Sequence, residues 1–308
     1  MPSSIQLKLF INKSNCSIYN EYEEIIINIK KKIGEGTYGS IFEIDNDNVI
    51  KIFKKSLQDN TLLKETVNIL PYSNENRELI FFNKVLDENI NDQYENTKYI
   101  IKILAIGYIK NKIIDKNNIF EPNSNFIIIP LAYPFYNIYS ILNKPLIKND
   151  NYIVAINVMK RLLQICLFIE TKYKQVNLDL ILNNCVFNKN TFINFDNLIL
   201  LDFSLIKSIE QDPKFNKKYF DNTNYYIWPI DNNYNLSNIH SYSICINGLE
   251  LLFGKDEIKS SLPSKNKINY YLKILRNLNE NVYELFLNGL TLKIDTKSLL
   301  ELINKLFE

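Results

Sequence analysis

The stretch KKIGEGTYGSIFEIDNDNVIKIFKK, residues 31–55, carries three glycines, Gly34, Gly36 and Gly39, at G-x-G-x-x-G spacing. Lys51 follows inside an apolar run. A glycine hairpin can close its backbone over phosphate oxygens, and a lysine just beyond it can pair with them. The same spacing also suits an ordinary turn, since isolated glycine patterns recur by chance. The rest of the chain has to decide between the two. Phosphoryl transfer needs a glycine-rich cover, a lysine, a helix carboxylate to hold that lysine, an Asp at the nucleophile and oxygen ligands for Mg²⁺. Candidates for all of these occur in that order. Three of the chain's seven glycines sit in this one stretch, a concentration that disfavours accident.

Such groups need elements to carry them. EEIIINIKKKIGEGTYGSIFEI and NVIKIFKK are rich in β-branched and aromatic residues and are broken by glycines and by DNDN, so strands are expected. In NRELIFFNKVLDENI, Leu79, Phe82 and Leu86 recur at helical spacing, which predicts a helix with Glu78 near its start. YIIKILAIGYIKNK and NFIIIPLAY read as further strands, and the polar stretch around Asp115 to Asn125 as a surface loop. After Asp150 the character changes. Ile153, Ile156, Met159, Leu163, Cys166 and Ile169 step helically. A strand–loop–strand region follows, and from about Ser241 the pattern is helical to the end. No internal repeat is present. This order predicts an α+β chain: a small β-rich lobe with one main helix, then a larger, mostly helical lobe, with the boundary near Pro130 to Pro134.

Over about residues 28–305 the chain resembles the eukaryotic protein-kinase family. GEGTYGSI (Gly34 to Ile41) resembles its glycine-rich loop, and VIK (Val49 to Lys51) its V-A-I-K strand. The resemblance makes Lys51 the phosphate lysine. ELIFF resembles the start of the family's third helix and makes Glu78 the partner of Lys51, with Glu75 as the rival. IIIPLAY resembles the hinge, with Ile129 at the back of an adenine pocket and Pro130 and Ala132 at the adenine edge. NLDLILNN resembles the catalytic loop H-R-D-L-x-x-x-N, placing Asp179 as catalytic base and Asn184 as metal ligand. LLDFS resembles D-F-G and places Asp202 on the metal. TNYYIWPI and HSYSICINGLELLFG are weaker echoes of the T-x-x-Y-x-A-P-E segment and of the D-x-W-S-x-G helix. The resemblance implies a bilobal kinase-like fold: an extension over 1–27, an N-lobe over 28–131 and a C-lobe over 132–308. It implies ATP with Mg²⁺ or Mn²⁺ as cofactors, and a protein substrate or binding partner.

Departures from the pattern bear on function. Asn177 and Leu178 replace the His and Arg of the catalytic loop, so an activation-loop phosphate has no evident clamp. Ile181 replaces the lysine of Ser/Thr kinases that would sit by the transferring phosphate, a loss that should slow transfer. Ser204 stands at the third D-F-G position, and Ile230 and Ile294 stand where the family pairs a Glu with an Arg. His240 stands where the family has an Asp that braces the loop. Lys51, Asp179, Asn184, Asp202 and Thr223 are kept. The expected function is a divergent Ser/Thr-type protein kinase. The alternatives are a pseudokinase acting as a binding module and, more remotely, a small-molecule phosphotransferase of kinase-like fold.

Composition narrows the rest. A net charge of +2 gives no argument for a nucleic-acid partner. A single histidine and four dispersed cysteines argue against zinc and against Ser-His or Cys-His catalysis. Free buried thiols in a reducing, intracellular compartment are expected. No signal peptide is read, and no membrane span is expected, because the apolar runs are short or carry Lys160 and Arg161. Heavy use of Asn, Ile, Lys and Tyr reads first as A/T-rich coding.

Overall fold

The structure, a computed structural model, describes residues 5–12, 22–35, 39–53, 78–82, 84–85, 98–109, 113–115, 118–120, 124–134, 145–149, 152–187, 194–203, 205–210, 235–261 and 265–307. Contacts divide the chain into two compact units. One comprises Met1–Ala132 with Leu201–Leu205, and the other Tyr133–Leu200 with Ile206–Glu308.

The first unit is built on a seven-stranded antiparallel sheet. Its strands are β1 (Ile5–Asn12), β2 (Tyr22–Ile29), β3 (Lys32–Glu35), β4 (Gly39–Glu43), β5 (Asn48–Phe53), β6 (Ala105–Ile109) and β9 (Asn125–Pro130), in the order β2-β1-β6-β9-β5-β4-β3. Of the residues before 28, 5–12 and 22–27 are therefore part of this sheet. β1 pairs with β2 from Ile5↔Ile29 to Asn12↔Tyr22, and with β6 at Leu9↔Ile109. Between β6 and β9, where a loop is expected, β7 (Ile113–Asp115) and β8 (Asn118–Phe120) pair as an antiparallel hairpin. Ile119 and Phe120 there outweigh the polar composition of the segment.

Alternation along β5 decides where Lys51 points. Ile50 and Ile52 join Ile29, Phe42, Ala105, Ile109, Phe126 and Ile128 in one buried cluster. Lys51, one residue out of phase, faces the other side with Val49 and Phe53. Residues 78–82 with 84 and 85 are helical and form α1, in the stretch where a helix is expected.

The second unit is mainly helical. Helix α2 (Tyr152–Phe168) runs on into a π turn, Ile169–Tyr173, closed by Lys174 in the left-handed region at φ 56°. α3 (Leu236–Phe253) begins five residues before the expected start and is buried on all sides from Ile239 to Leu252, the mark of a central core helix. Then come α4 (Lys255–Ser261), α5 (Lys265–Leu278), α6 (Glu280–Leu290) and α7 (Thr296–Lys305). Short strands complete it: β10 (Tyr133–Pro134), β12 (Cys185–Phe187) and β13 (Leu198–Leu200) form one sheet, while β11 (Gln175–Asn177) pairs with β14 (Ile206–Ser208).

Among the described residues, Tyr152–Tyr173 is the one helix long and apolar enough to cross a membrane. It packs here against α3 and α7. Its Arg161 is buried, donating to the carbonyls of Leu198 (3.1 Å) and Asp196 (2.8 Å). Cys166, Cys185 and Cys245 are free and buried. Burial pushes the Cys185 thiol up to about 12 and raises those of Cys166 and Cys245, so they behave as small apolar groups. Cys16 lies outside the described residues.

Two glycines of the opening motif have different reasons to be there. A Cβ on Gly39 would sit 2.8 Å from the carbonyl oxygen of Ile52, whereas one on Gly34 would meet only Ile41 side-chain atoms at 3.6 Å or more. Gly39→Ala should therefore cost about 1–3 kcal/mol, and Gly34→Ala no more than about 0.5 kcal/mol. Thermal unfolding of the two variants checks this, and equal melting temperatures would contradict it.

Candidate functional site

In the first unit the expected lysine and carboxylate meet. Lys51 Nζ lies 2.8 Å from Glu78 Oε1 and 2.9 Å from Oε2, a two-pronged contact across 27 residues of chain. Both are buried, Glu78 completely. Phe53, two residues on along the same face of β5, places its ring 5.0 Å from Nζ. Glu75 lies outside the described residues. Asp202 belongs to this unit and adds its field to the pair. The next residue anchors it: Phe203 is fully buried, stacks on Phe81 at 4.4 Å and sets its edge against Phe82 at 5.4 Å, and its backbone N–H donates to the Glu78 carboxylate. One helical turn thus supplies both the carboxylate that holds Lys51 and the rings that hold the segment carrying Asp202.

Two carboxylates, Glu78 and Asp202, act on the Lys51 ammonium. Burial alone would depress the Lys51 ammonium, but Glu78 and Asp202 outweigh it and hold its pKa above the usual lysine value. Burial, with repulsion from Asp202, lifts Glu78 to about 7 despite Lys51. Ile129, only 2% exposed at the end of β9, lies on the same sheet face as Ile127, the cross-strand partner of Lys51. Beyond it Pro130 pairs with Asn48, and Leu131 donates its N–H to the Asp47 carbonyl (2.6 Å), so Ala132 carries the next backbone donor. Gly34 and Gly39 lie on the paired strands β3 and β4, while Gly36 and Ser204 lie outside the described residues.

In the second unit Asp179 and Asn184 meet within one loop. Asn184 Nδ2 donates to Asp179 Oδ2 (3.0 Å) and to its carbonyl (2.9 Å). Those contacts use the amide nitrogen and leave the oxygen, the atom a hard cation needs. Asn177 Oδ1 accepts from the Asp179 N–H (3.0 Å), and Ile181 donates its N–H to the Asp179 carbonyl (3.0 Å). Leu178 and Ile181, where the kinase pattern has Arg and Lys, are buried apolar side chains.

The loop is fastened to α3 by two polar side chains two helical turns apart. His240 Nε2 accepts the backbone N–H of Asn177 (2.9 Å), so the ring proton must ride on Nδ1, which points at Glu170 Oε1 (2.6 Å). The Thr296 hydroxyl, from α7, reaches the same Glu170 oxygen. Asn247, fully buried, accepts the Leu182 N–H (3.2 Å) and donates to the carbonyls of Leu180 and Ser243 (each 2.9 Å). Glu170, Asn247 and Thr296 escape the motif reading. The available signal for Asn247 is a lone amide in the apolar run ICINGLELL, seven residues after His240. Thr223 and Ile230 lie outside the described residues, and Ile294 is half-buried in the turn before α7.

Among the described residues no three His, Cys, Asp or Glu side chains gather as a metal site. A phosphate-bound Mg²⁺ requires no such cage, because one or two protein oxygens beside the phosphates serve. Asp202 in the first unit and Asn184 in the second each carry an oxygen of the kind such a cation takes.

Two outcomes are expected. Asn247→Leu keeps the volume but removes a donor to the Leu180 carbonyl and the acceptor of the Leu182 N–H, and should cost about 1–3 kcal/mol in denaturant unfolding; a change below about 0.5 kcal/mol, the scatter of surface substitutions, would contradict the clamp. Glu78 binds its proton more tightly folded (about 7) than at its ordinary value of 4.5. Its contribution to stability is therefore greatest at low pH and declines as pH rises through that window. Glu78→Gln should flatten this decline in unfolding measured across the same window.

No family model matches the chain, and no curated protein matches its sequence. Among solved structures it is similar to one described as "ROP18 kinase domain in complex with AMP-PNP and sucrose". That likeness has a TM-score of 0.65 at 12% identity, and covers 99% of this chain and 84% of the other. An antiparallel sheet unit, a helical unit and this likeness together make the fold α+β and protein-kinase-like.

Proposed function

We propose that the chain is a divergent protein kinase that transfers the γ-phosphate of ATP to Ser or Thr hydroxyls of proteins. The observation that carries this reading is the buried Lys51–Glu78 pair under the field of Asp202. A buried ammonium held by a carboxylate is a poor stabiliser, but burial strengthens its pull on an incoming phosphate oxygen. Bound ATP with its metal supplies the phosphoryl group to be moved. Lys51 holds phosphate oxygens, and Glu78 keeps its ammonium aimed. The Asp179 carboxylate accepts the proton of the acceptor hydroxyl, while the Asn184 amide fixes that carboxylate's rotamer. Asp202 and the Asn184 oxygen are the metal ligands in this scheme. The AMP-PNP named with the similar kinase domain, an ATP analogue, supports nucleotide as the ligand.

With Ile181 in place of a lysine, one transition-state charge is missing, so turnover should be slow rather than absent. The test is transfer of labelled phosphate to generic protein acceptors, with Mg²⁺ or Mn²⁺. Lys51→Met and Asp202→Ala should each lower transfer by about 10²-fold or more. Transfer that persists in both variants would overturn the assignment, and a wild type that binds nucleotide without transferring phosphate would favour the binding-module reading.

A further inference from the structure

The chain's one histidine stands where a proton matters to the catalytic loop. His240 is completely buried near the start of α3. Its Nε2 accepts the N–H of Asn177, and the Asn177 side chain in turn accepts the N–H of Asp179. Two hydrogen bonds thus connect the imidazole to the residue that carries the catalytic carboxylate. On the other side of the ring, Nδ1 points at Glu170 Oε1, and the Thr296 hydroxyl donates to that same oxygen. The π turn, β11, α3 and α7 all contribute to this network.

Two demands on the ring conflict. A carboxylate 2.6 Å from Nδ1 favours a charged imidazole. A backbone N–H facing Nε2 needs a lone pair there, which only the neutral ring has. A second proton and the hold on Asn177 therefore exclude each other, since N–H would then face N–H. The state with the loop released binds one proton more, so falling pH favours it. Glu170, with 11% of its side chain exposed, connects the network to water. Cys166, four residues before Glu170, lies in the field of that carboxylate, and burial keeps it a neutral thiol. Elsewhere on the elements packed against α3, Lys172 lies over the rings of Phe168 and Tyr173, Lys160 over Phe307, and Arg161 donates to the Leu198 and Asp196 carbonyls. The charged side chains of α6 and α7, and Lys174 before β11, are exposed.

We propose that Glu170 and His240 form a proton-sensitive latch on the catalytic loop. The neutral imidazole holds Asn177, and with it Asp179; a proton taken from solvent onto Nε2 lets the loop go. Glu170 is a positioning residue, acting on Asp179 through His240. It fixes the tautomer that grips the loop, and its charge also favours the second proton that ends the grip. This inference rests on the kinase reading and names a regulation of that site, the loss of transfer on acidification through loss of loop order. Glu78, lifted to about 7, also changes charge near neutrality, but it belongs to the other unit. The test has to read the loop as well as the reaction.

The test uses the full chain labelled with ¹⁵N-histidine, whose spectrum contains one imidazole. Ring protonation, hydrogen exchange of the loop amides (corrected for the intrinsic pH dependence of exchange) and phosphate transfer are followed over about pH 5–8, where histidine ordinarily changes charge. At the neutral end the ring should carry its proton on Nδ1 alone. On acidification the doubly protonated ring should appear as the Asn177 amide loses protection, and transfer should fall by about 10²-fold. His240→Gln offers an amide oxygen that accepts at every pH in the range. It should transfer within about 10-fold of wild type at the neutral end and keep its loop protected in acid. Glu170→Gln still accepts from Nδ1 but withdraws the charge, so the loss should move to lower pH. Wild-type spectra decide the matter even where a variant fails to fold. A ring that takes its second proton while the loop stays protected, or protection lost equally in wild type and His240→Gln, would overturn the proposal. Transfer lost in acid with the loop protected would overturn it too and point to Glu78. Ring and loop that titrate together in a chain transferring no phosphate support the latch and count against the kinase reading alone.

Discussion

The site in the strand unit depends on one costly contact, the buried pair of Lys51 and Glu78. Taking both charges out of water would be wasteful for stability alone, since apolar residues of similar volume do as well or better there. The surrounding structure accommodates it nonetheless. β5 must alternate so that Lys51 faces away from the Ile50–Ile52 core, and the turn of α1 must put Glu78 opposite. Phe81 and Phe82 must follow in register to trap Phe203. Burial pushes Glu78 towards neutrality, and the field of Asp202 adds to that push. On the proposed function, this costly arrangement serves as a receptor for phosphate and its metal.

The helical unit solves a different problem, that of holding an irregular loop inside a core. Each backbone group of the loop needs a partner once it leaves water. His240 and Asn247 provide these from a helix buried on nearly all sides, and Glu170 from the π turn fixes the imidazole tautomer. Leu178, where the kinase pattern has an arginine, is a buried apolar side chain, and the loop backbone is held by His240 and Asn247.

The parts legible in the sequence are those that local chemistry encodes. Richness in β-branched and aromatic residues, broken by glycines and by DNDN, marked the strands around Lys51, and the Leu79–Phe82 spacing favoured Glu78 over Glu75 as its partner. The α+β order followed from where the period changed. Long-range polar contacts were not legible. Glu170 meets His240 across 70 residues and Thr296 across 126, and nothing in either neighbourhood announces the pairing. Lys255 reaches Asn183 across 72 residues by way of a glycine whose φ is not written in any motif. The hairpin of β7 and β8 was hidden by polar turn residues that dilute two short apolar pairs.

The central claim is that Asp179, held by Asn184, acts on an acceptor hydroxyl. Single-turnover transfer from labelled ATP, with wild type beside Asp179→Ala and with both proteins shown to be folded and to bind nucleotide equally, tests it most directly. The account predicts label on protein with wild type and a loss of about 10²-fold or more in the variant. Equal label from both, or none from wild type over hours with either Mg²⁺ or Mn²⁺, would contradict it.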